Sequence, residues 1–182
     1  MSGAVAERIS GTFERSAPAP SEAFESLYRR TFARVYGYVA TLLRDPSAAE
    51  EVTAQAFERA YRKRRSFRAS RGSQEAWLFG IARNAALDEL RRRKRRAALE
   101  IDPEDLHTAS PHEQADDALR RQAVAAALGR LAPRERELVA LKFAGGLSHE
   151  EIGRVLGISA SNAATRLHRT LEKLRKECDE DA

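Results

Sequence analysis

The chain has 182 residues, 42% of them hydrophobic and 32% charged, with a formal net charge of +5. That is enough apolar material for one mid-sized domain or two small ones, and no stretch approaches the roughly 20 apolar residues of a membrane helix. A single cysteine, Cys178, excludes internal disulfides and multi-cysteine metal sites, and the polar N-terminus carries no secretion core, so the reading is a cytoplasmic protein without membrane insertion.

Residues 1–20 lack periodicity and end in Ala17-Pro18-Ala19-Pro20, which reads as a disordered tail. Ser21 is expected to cap a first helix, along which Phe24, Leu27, Tyr28, Phe32, Val35, Tyr36, Val39, Leu42 and Leu43 recur at helical spacing up to Arg44. Asp45-Pro46 then supplies an N-cap and a proline at the first helical position, where its missing N–H costs nothing. The second helix carries Val52, Ala56, Phe57, Ala60 and Tyr61 and ends in a basic run. Residues 66–73 read as a loop, and a third helix from about Gln74 buries Trp77, Leu78, Ile81 and Ala85 before entering Arg91–Arg96. Residues 97–117 hold two prolines and little periodicity, and form an acidic linker. A second module is expected over 118–177, followed by a short tail at 178–182. Its first stripe is Leu119, Val124, Ala127, Leu128 and Leu131; its second is Leu138, Val139, Leu141 and Phe143. No segment alternates in the manner of a strand, so the fold class is all-α: two small helical domains joined by a flexible acidic linker.

Charge follows the same division. Residues 1–96 hold 20 Lys and Arg against 11 Asp and Glu, residues 97–119 hold none against 7, and residues 120–182 hold 12 against 9. Two basic modules around an anionic strap fit a nucleic-acid binder. Codon bias explains the preference for arginine over lysine but not this segregation.

Residues 148–174 carry the most specific motif, a helix-turn-helix. Ser148 and Glu151 form a capping box, Ile152, Val155 and Leu156 give the first helix its inner face, and Gly157 suits a left-handed turn. Ser159 caps a second helix with Ala163, Leu167, Leu171 and Leu174 inside and Asn162, Thr165, Arg166, His168, Arg169 and Lys173 outside. Such a helix fits the major groove. An ordinary helical hairpin with solvated charges is the plainer alternative, and the glycines, caps and basic outer face together favour DNA. In the first module, Tyr61, Phe67, Trp77 and Phe79 interleave with basic residues, which suits single-stranded nucleic acid. Trp77 sits on a helical stripe with Ile81 and reads as core before it reads as a stacking platform.

The sequence blocks resemble bacterial sigma factors of the extracytoplasmic-function class (group IV). Leu27-Tyr28, Ala49-Glu50-Glu51, Gln55-Ala56-Phe57 and the run from Trp77 through Arg93 match the first domain; Leu131 to Glu137, Gly146 to Ile152, Leu156 to Ser159 and Arg166 to Arg169 match the second. The resemblance covers about residues 21–177. It implies a subunit of RNA polymerase that directs promoter choice and melting, with no enzyme activity and no cofactor of its own. Asp45, Glu50, Glu51, Gln55 and Phe57 would face the clamp helices of the largest polymerase subunit, and the second domain the flap of the second-largest. Phe67, Arg83, Asn84, Asp88 and Arg91 would bind the −10 element, where a base leaves the stack; Asn162, Thr165, Arg166, His168 and Arg169 would serve the −35 element. The partners are thus core polymerase and promoter DNA, double- and single-stranded, with room for a separate anti-sigma factor. Ala163 and Ala164 depart from the family, which usually places a β-branched residue and then a lysine or arginine there. A stand-alone helix-turn-helix regulator is the alternative, but the first module shows neither a ligand-pocket signature nor a heptad seam. An enzyme has less behind it, because the histidines lack metal-like spacing and the adjacent pairs Glu150-Glu151 and Asp116-Asp117 make no acid/base couple.

Overall fold

The computed structural model describes residues 20–99 and 124–180, and every regular element among them is helical. The tail before Pro20, the linker from residue 100, the start of the second module at Ala118 with Leu119, and residues 181–182 lie outside the described residues. The first module comprises α1 (Pro20–Leu43), α2 (Pro46–Lys63) and α3 (Gln74–Leu99), with 3-10 turns at Arg64–Ser66 and Ala69–Arg71 between the last two. The second comprises helical residues 124–130 (α4), α5 (Pro133–Phe143), α6 (His149–Leu156) and α7 (Ala160–Glu180).

Local chemistry sets most boundaries. The Asp45 carboxylate accepts the Ala48 N–H at 3.0 Å, with Pro46 at the first turn of α2. Ser73 caps α3, its hydroxyl oxygen accepting from Ala76 N at 3.0 Å. Arg93 braces the α1–α2 corner by donating to the Leu43 carbonyl at the end of α1 and to Asp45 at 2.8 Å, while Glu89 holds it at 3.0 Å. Arg136 spans the end of α4, donating to the carbonyls of Leu128, Gly129 and Leu131 at 2.9–3.1 Å. Leu128 O also accepts from Leu131 N at 3.3 Å, and the guanidinium adds donors at a helix C-terminus where the last carbonyls have few.

Four expectations change. Helix α1 begins at Pro20, so Ser21 lies inside it and does not cap it. Helix α3 continues through residues 97–99, taking the first three residues assigned to the linker. The loop at 66–73 contains a 3-10 turn. Val124 and Phe143, read as core, are 55% and 63% exposed, because the faces of α4 and α5 that carry them turn away from the packed interior.

The two modules share one core. Leu27, Val35, Tyr38, Val39, Leu78, Phe79 and Ala82 from the first pack in a continuous cluster with Leu138, Leu141, Leu147 and Ile152 from the second. Helix α5 lies on α1, and α6 on α3. A smaller cluster of Leu131, Val139 and Leu167 ties α7 to its own module.

Candidate nucleic-acid interface

Phe67 and Trp77 stand with ring centroids 5.7 Å apart at the mouth of a groove of about 500 Å³, whose walls include Arg68, Arg71, Gly80 and Asn84. Phe67 arrives there on the segment between the two 3-10 turns, and Asn84 lies two helical turns beyond Trp77 on α3. Aromatic faces, guanidinium groups and one amide therefore converge where an unpaired base could stack and hydrogen-bond. Trp77 is half-buried: it packs on the core, as its helical stripe suggests, and it also lines this groove. Helix α6 contributes Arg154 and Val155 to the opposite wall.

Arg83, assigned with Asn84 from the sequence, points elsewhere. Its Nε donates to Glu137 Oε1 at 2.6 Å, and the Glu137 side chain is only 8% exposed. The Tyr38 hydroxyl donates to the same oxygen at 3.3 Å, and burial, then the Glu137 charge, push the Tyr38 phenol well above its ordinary pKa. Asp88 and Arg91 pair with each other at 2.9 Å on the exposed outer part of α3, away from the groove.

The helix-turn-helix is built as its sequence indicates. Ser148 accepts from Glu151 N at 3.2 Å and Glu151 accepts from Ser148 N at 2.9 Å. Gly157 takes φ +70, where a side chain would be strained, and a Cβ on Gly153 would meet the Ile158 carbonyl oxygen at 2.7 Å. Ser159 accepts from Asn162 N at 3.1 Å to start α7. Asn162, Thr165, Arg166, His168 and Arg169 are all exposed on that helix, with Ala163 and Leu167 buried beneath. The Thr165 hydroxyl donates to Ser161 O at 3.0 Å, and His168 lies 3.4 Å from Glu172. Ala164 is half-buried and brings no charge to this face.

On α2, Glu50 and Glu51 are exposed, and Gln55 donates to Glu51 at 3.0 Å. Asp45 is engaged by Arg93; the Ala48 N–H and that guanidinium keep its carboxyl below the usual range. Phe57 differs from the others, being 5% exposed beneath Tyr28 and Phe32, with its ring centroid 4.8 Å from that of Tyr28. Sequence reasoning missed Glu137, Arg34 and Ser73, whose partners lie 54 to 111 residues away. Among the described residues no cluster of His, Cys, Asp and Glu could hold a metal, and no helix is long and apolar enough to cross a membrane.

The described residues are helical throughout their regular elements and carry a basic aromatic groove on one module and an exposed helix-turn-helix on the other. Residues 27–96 match the family model for sigma-70 region 2, and residues 121–174 that for sigma-70 region 4. The chain is 36% identical to the RNA polymerase sigma factor CarQ of Myxococcus xanthus, over 90% of this chain and 93% of CarQ. It is 30% identical to the ECF RNA polymerase sigma factor SigK of Mycolicibacterium vanbaalenii, over 94% and 90% of the two chains. Its fold is similar to that of the sigma factor RpoE in complex with the anti-sigma factor NepR from Bartonella quintana (TM-score 0.75, 22% identity, 88% of this chain and 99% of that one). It is also similar to that of CnrH in complex with the cytosolic domain of CnrY (TM-score 0.66, 23% identity, 89% and 91%). The chain belongs to the sigma-70 family as an extracytoplasmic-function sigma factor, a non-enzymatic subunit that directs RNA polymerase to promoters.

Proposed function

We propose that the groove of Phe67, Trp77 and Asn84 receives an unpaired base of the −10 element, while the outer face of α7 reads the −35 element. The observation that carries this reading is the convergence of two aromatic rings, one amide and the flanking arginines Arg68 and Arg71 in one groove on the first module. Arg83, Asp88 and Arg91 lie outside this groove on other parts of α3, and the two arginines would serve the same element as phosphate contacts. On α7, Arg166 and Arg169 have the geometry to pair bidentately with guanine or to anchor phosphates, and Asn162, Thr165 and His168 supply shorter polar contacts. The exposed acids Glu50 and Glu51, with Asp45 and Gln55, form the polymerase-facing surface of α2; Phe57 supports it from beneath. The second domain meets the flap of the second-largest polymerase subunit. The protein acts in the cytoplasm, where its polymerase is, and the anti-sigma partners named for the similar RpoE and CnrH structures support a separate inhibitor for this chain too.

The test separates melting from binding. Asn84→Ala should reduce permanganate reactivity of the −10 thymines on duplex promoter by about tenfold, roughly the 1–3 kcal/mol of one good base contact, yet bind closed promoter normally. Equal loss on duplex and on pre-melted template would reduce Asn84 to a simple binding contact.

A further inference from the structure

Three arginines of the second module converge on a cavity of about 560 Å³: Arg134 from the first turn of α5, and Arg166 and Arg169 from α7. All three are exposed, and no hydrogen bond or ion pair among the described residues engages their guanidinium groups. Other arginines of the chain spend their donors on carboxylates and carbonyls, as Arg83, Arg93 and Arg136 do. Glu135 and Glu137 also line the cavity but are committed, Glu135 to Ala132 N and Lys173, and Glu137 to Arg83. Like charges gathered in one concavity repel, and an anion seated among them removes that cost.

The same cavity has an apolar side, made by Leu138 with the half-buried Leu156 and Ile158. Thr170 lies between the two kinds of surface, its hydroxyl turned back to the Arg166 carbonyl at 2.9 Å. A duplex backbone brings phosphates and sugars to such a site but no flat face to cover the apolar side. Asn162, Thr165 and His168, which stand on the outer face of α7, are not among the walls. The volume falls within the roughly 300–1,000 Å³ of small-ligand sites, which pair an apolar lining with a few charged groups that fix orientation. A phosphate chain joined to a planar heterocycle matches both surfaces.

We propose that this cavity binds a nucleoside polyphosphate, its phosphates across Arg134, Arg166 and Arg169 and its base over Leu138, Leu156 and Ile158. All six residues belong to the second module, so the site is present wherever that module is. Guanidinium groups suit it because each offers a planar fork of donors to phosphate oxygens. A bound nucleotide and −35 DNA would then exclude one another, since both use Arg166 and Arg169; this consequence, unlike the site itself, rests on the −35 reading above. Arg134 stands outside that reading and is the cation that separates the two ligands.

Isothermal titration calorimetry of the free full chain with ATP, inorganic tripolyphosphate and adenosine tests the site. ATP should bind saturably; tripolyphosphate, lacking the ring, should bind about tenfold more weakly, and adenosine, lacking the charge, should give no heat. Arg134→Ala should weaken ATP about tenfold, the loss of one charge-assisted contact, and Arg134→Lys should recover part of it. No saturable binding of ATP, equal affinity for tripolyphosphate, or binding indifferent to Arg134→Ala overturns the proposal. The consequence is read on a labelled promoter fragment held by holoenzyme. ATP as the sole nucleotide should release the fragment from the parent holoenzyme at concentrations about tenfold lower than from the Arg134→Ala holoenzyme, so that any effect through the polymerase itself cancels. Binding of ATP that depends on Arg134 without such release would support the site and overturn the −35 assignment of Arg166 and Arg169.

Discussion

At Glu151 one carboxylate oxygen accepts the Ser148 N–H and the other accepts the Ser73 hydroxyl. Burial raises its pKa, but these two hydrogen bonds outweigh burial and leave it below the usual glutamate range. Its stabilising contribution is thus complete above the unfolded pKa and is lost as pH falls through the lower folded one. Glu135, held by Ala132 N and Lys173, and Asp45 behave alike. Thermal stability should therefore decline on acidification below about pH 5, and Glu151→Gln should give a shallower acid limb in a calorimetric series. Parallel curves would contradict this. Because Glu151 remains partly exposed to solvent, the effect should stay under about 1 kcal/mol. Thr53 makes the opposite case: fully buried, its hydroxyl has no hydrogen-bond partner. Thr53→Val keeps the shape and removes that cost, and should raise the urea midpoint by the equivalent of about 1 kcal/mol. A loss of similar size would mean that the hydroxyl is satisfied.

Elements whose ends are fixed by neighbours in sequence were legible from it. Asp45-Pro46, the Ser148–Glu151 box, Gly157 and Ser159 each act within three or four residues, and the structure places each as expected. Tyr28 and Phe32 are half-exposed although they fall on the apolar stripe of α1, because they line the edge where α1 meets Phe57 of α2. Nothing in a stripe says which of its members sits at a rim. On α7 the departure at Ala164 leaves the first turns of the outer face with Arg166 and Arg169 as their cations, while Lys173 further along pairs with Glu135. Ala164→Lys should add one phosphate contact, strengthening binding across all −35 sequences and steepening the salt slope by about one counterion. Arg169→Ala should relax selectivity at one position, by about 1–3 kcal/mol, if the guanidinium reads guanine. Both are measured with holoenzyme on a library of randomised −35 elements at two salt concentrations. Uniform weakening by Arg169→Ala with a flatter salt slope would make Arg169 a phosphate anchor.

Across the whole molecule, charge segregation and paired sequence blocks gave the two modules, their order and their common target. Their mutual packing was not legible. Arg83–Glu137 and Arg34–Gly145 join residues 54 and 111 positions apart, and an ion pair or a single carbonyl contact leaves no periodic trace in a sequence. The same arginines that mark a nucleic-acid binder also serve as internal braces: Arg93 and Arg136 spend their donors on helix ends and Arg83 on Glu137. Basic residues in such a chain divide between DNA and architecture, and only their partners tell which is which. Promoter-directed initiation is the property on which both modules converge. Run-off transcription by the full chain with core polymerase on genomic fragments, with starts mapped, should yield transcripts absent with core alone and preceded by shared elements near −10 and −35. Transcription no different from that of core alone, alongside tight sequence-specific footprinting by the free protein, would contradict it.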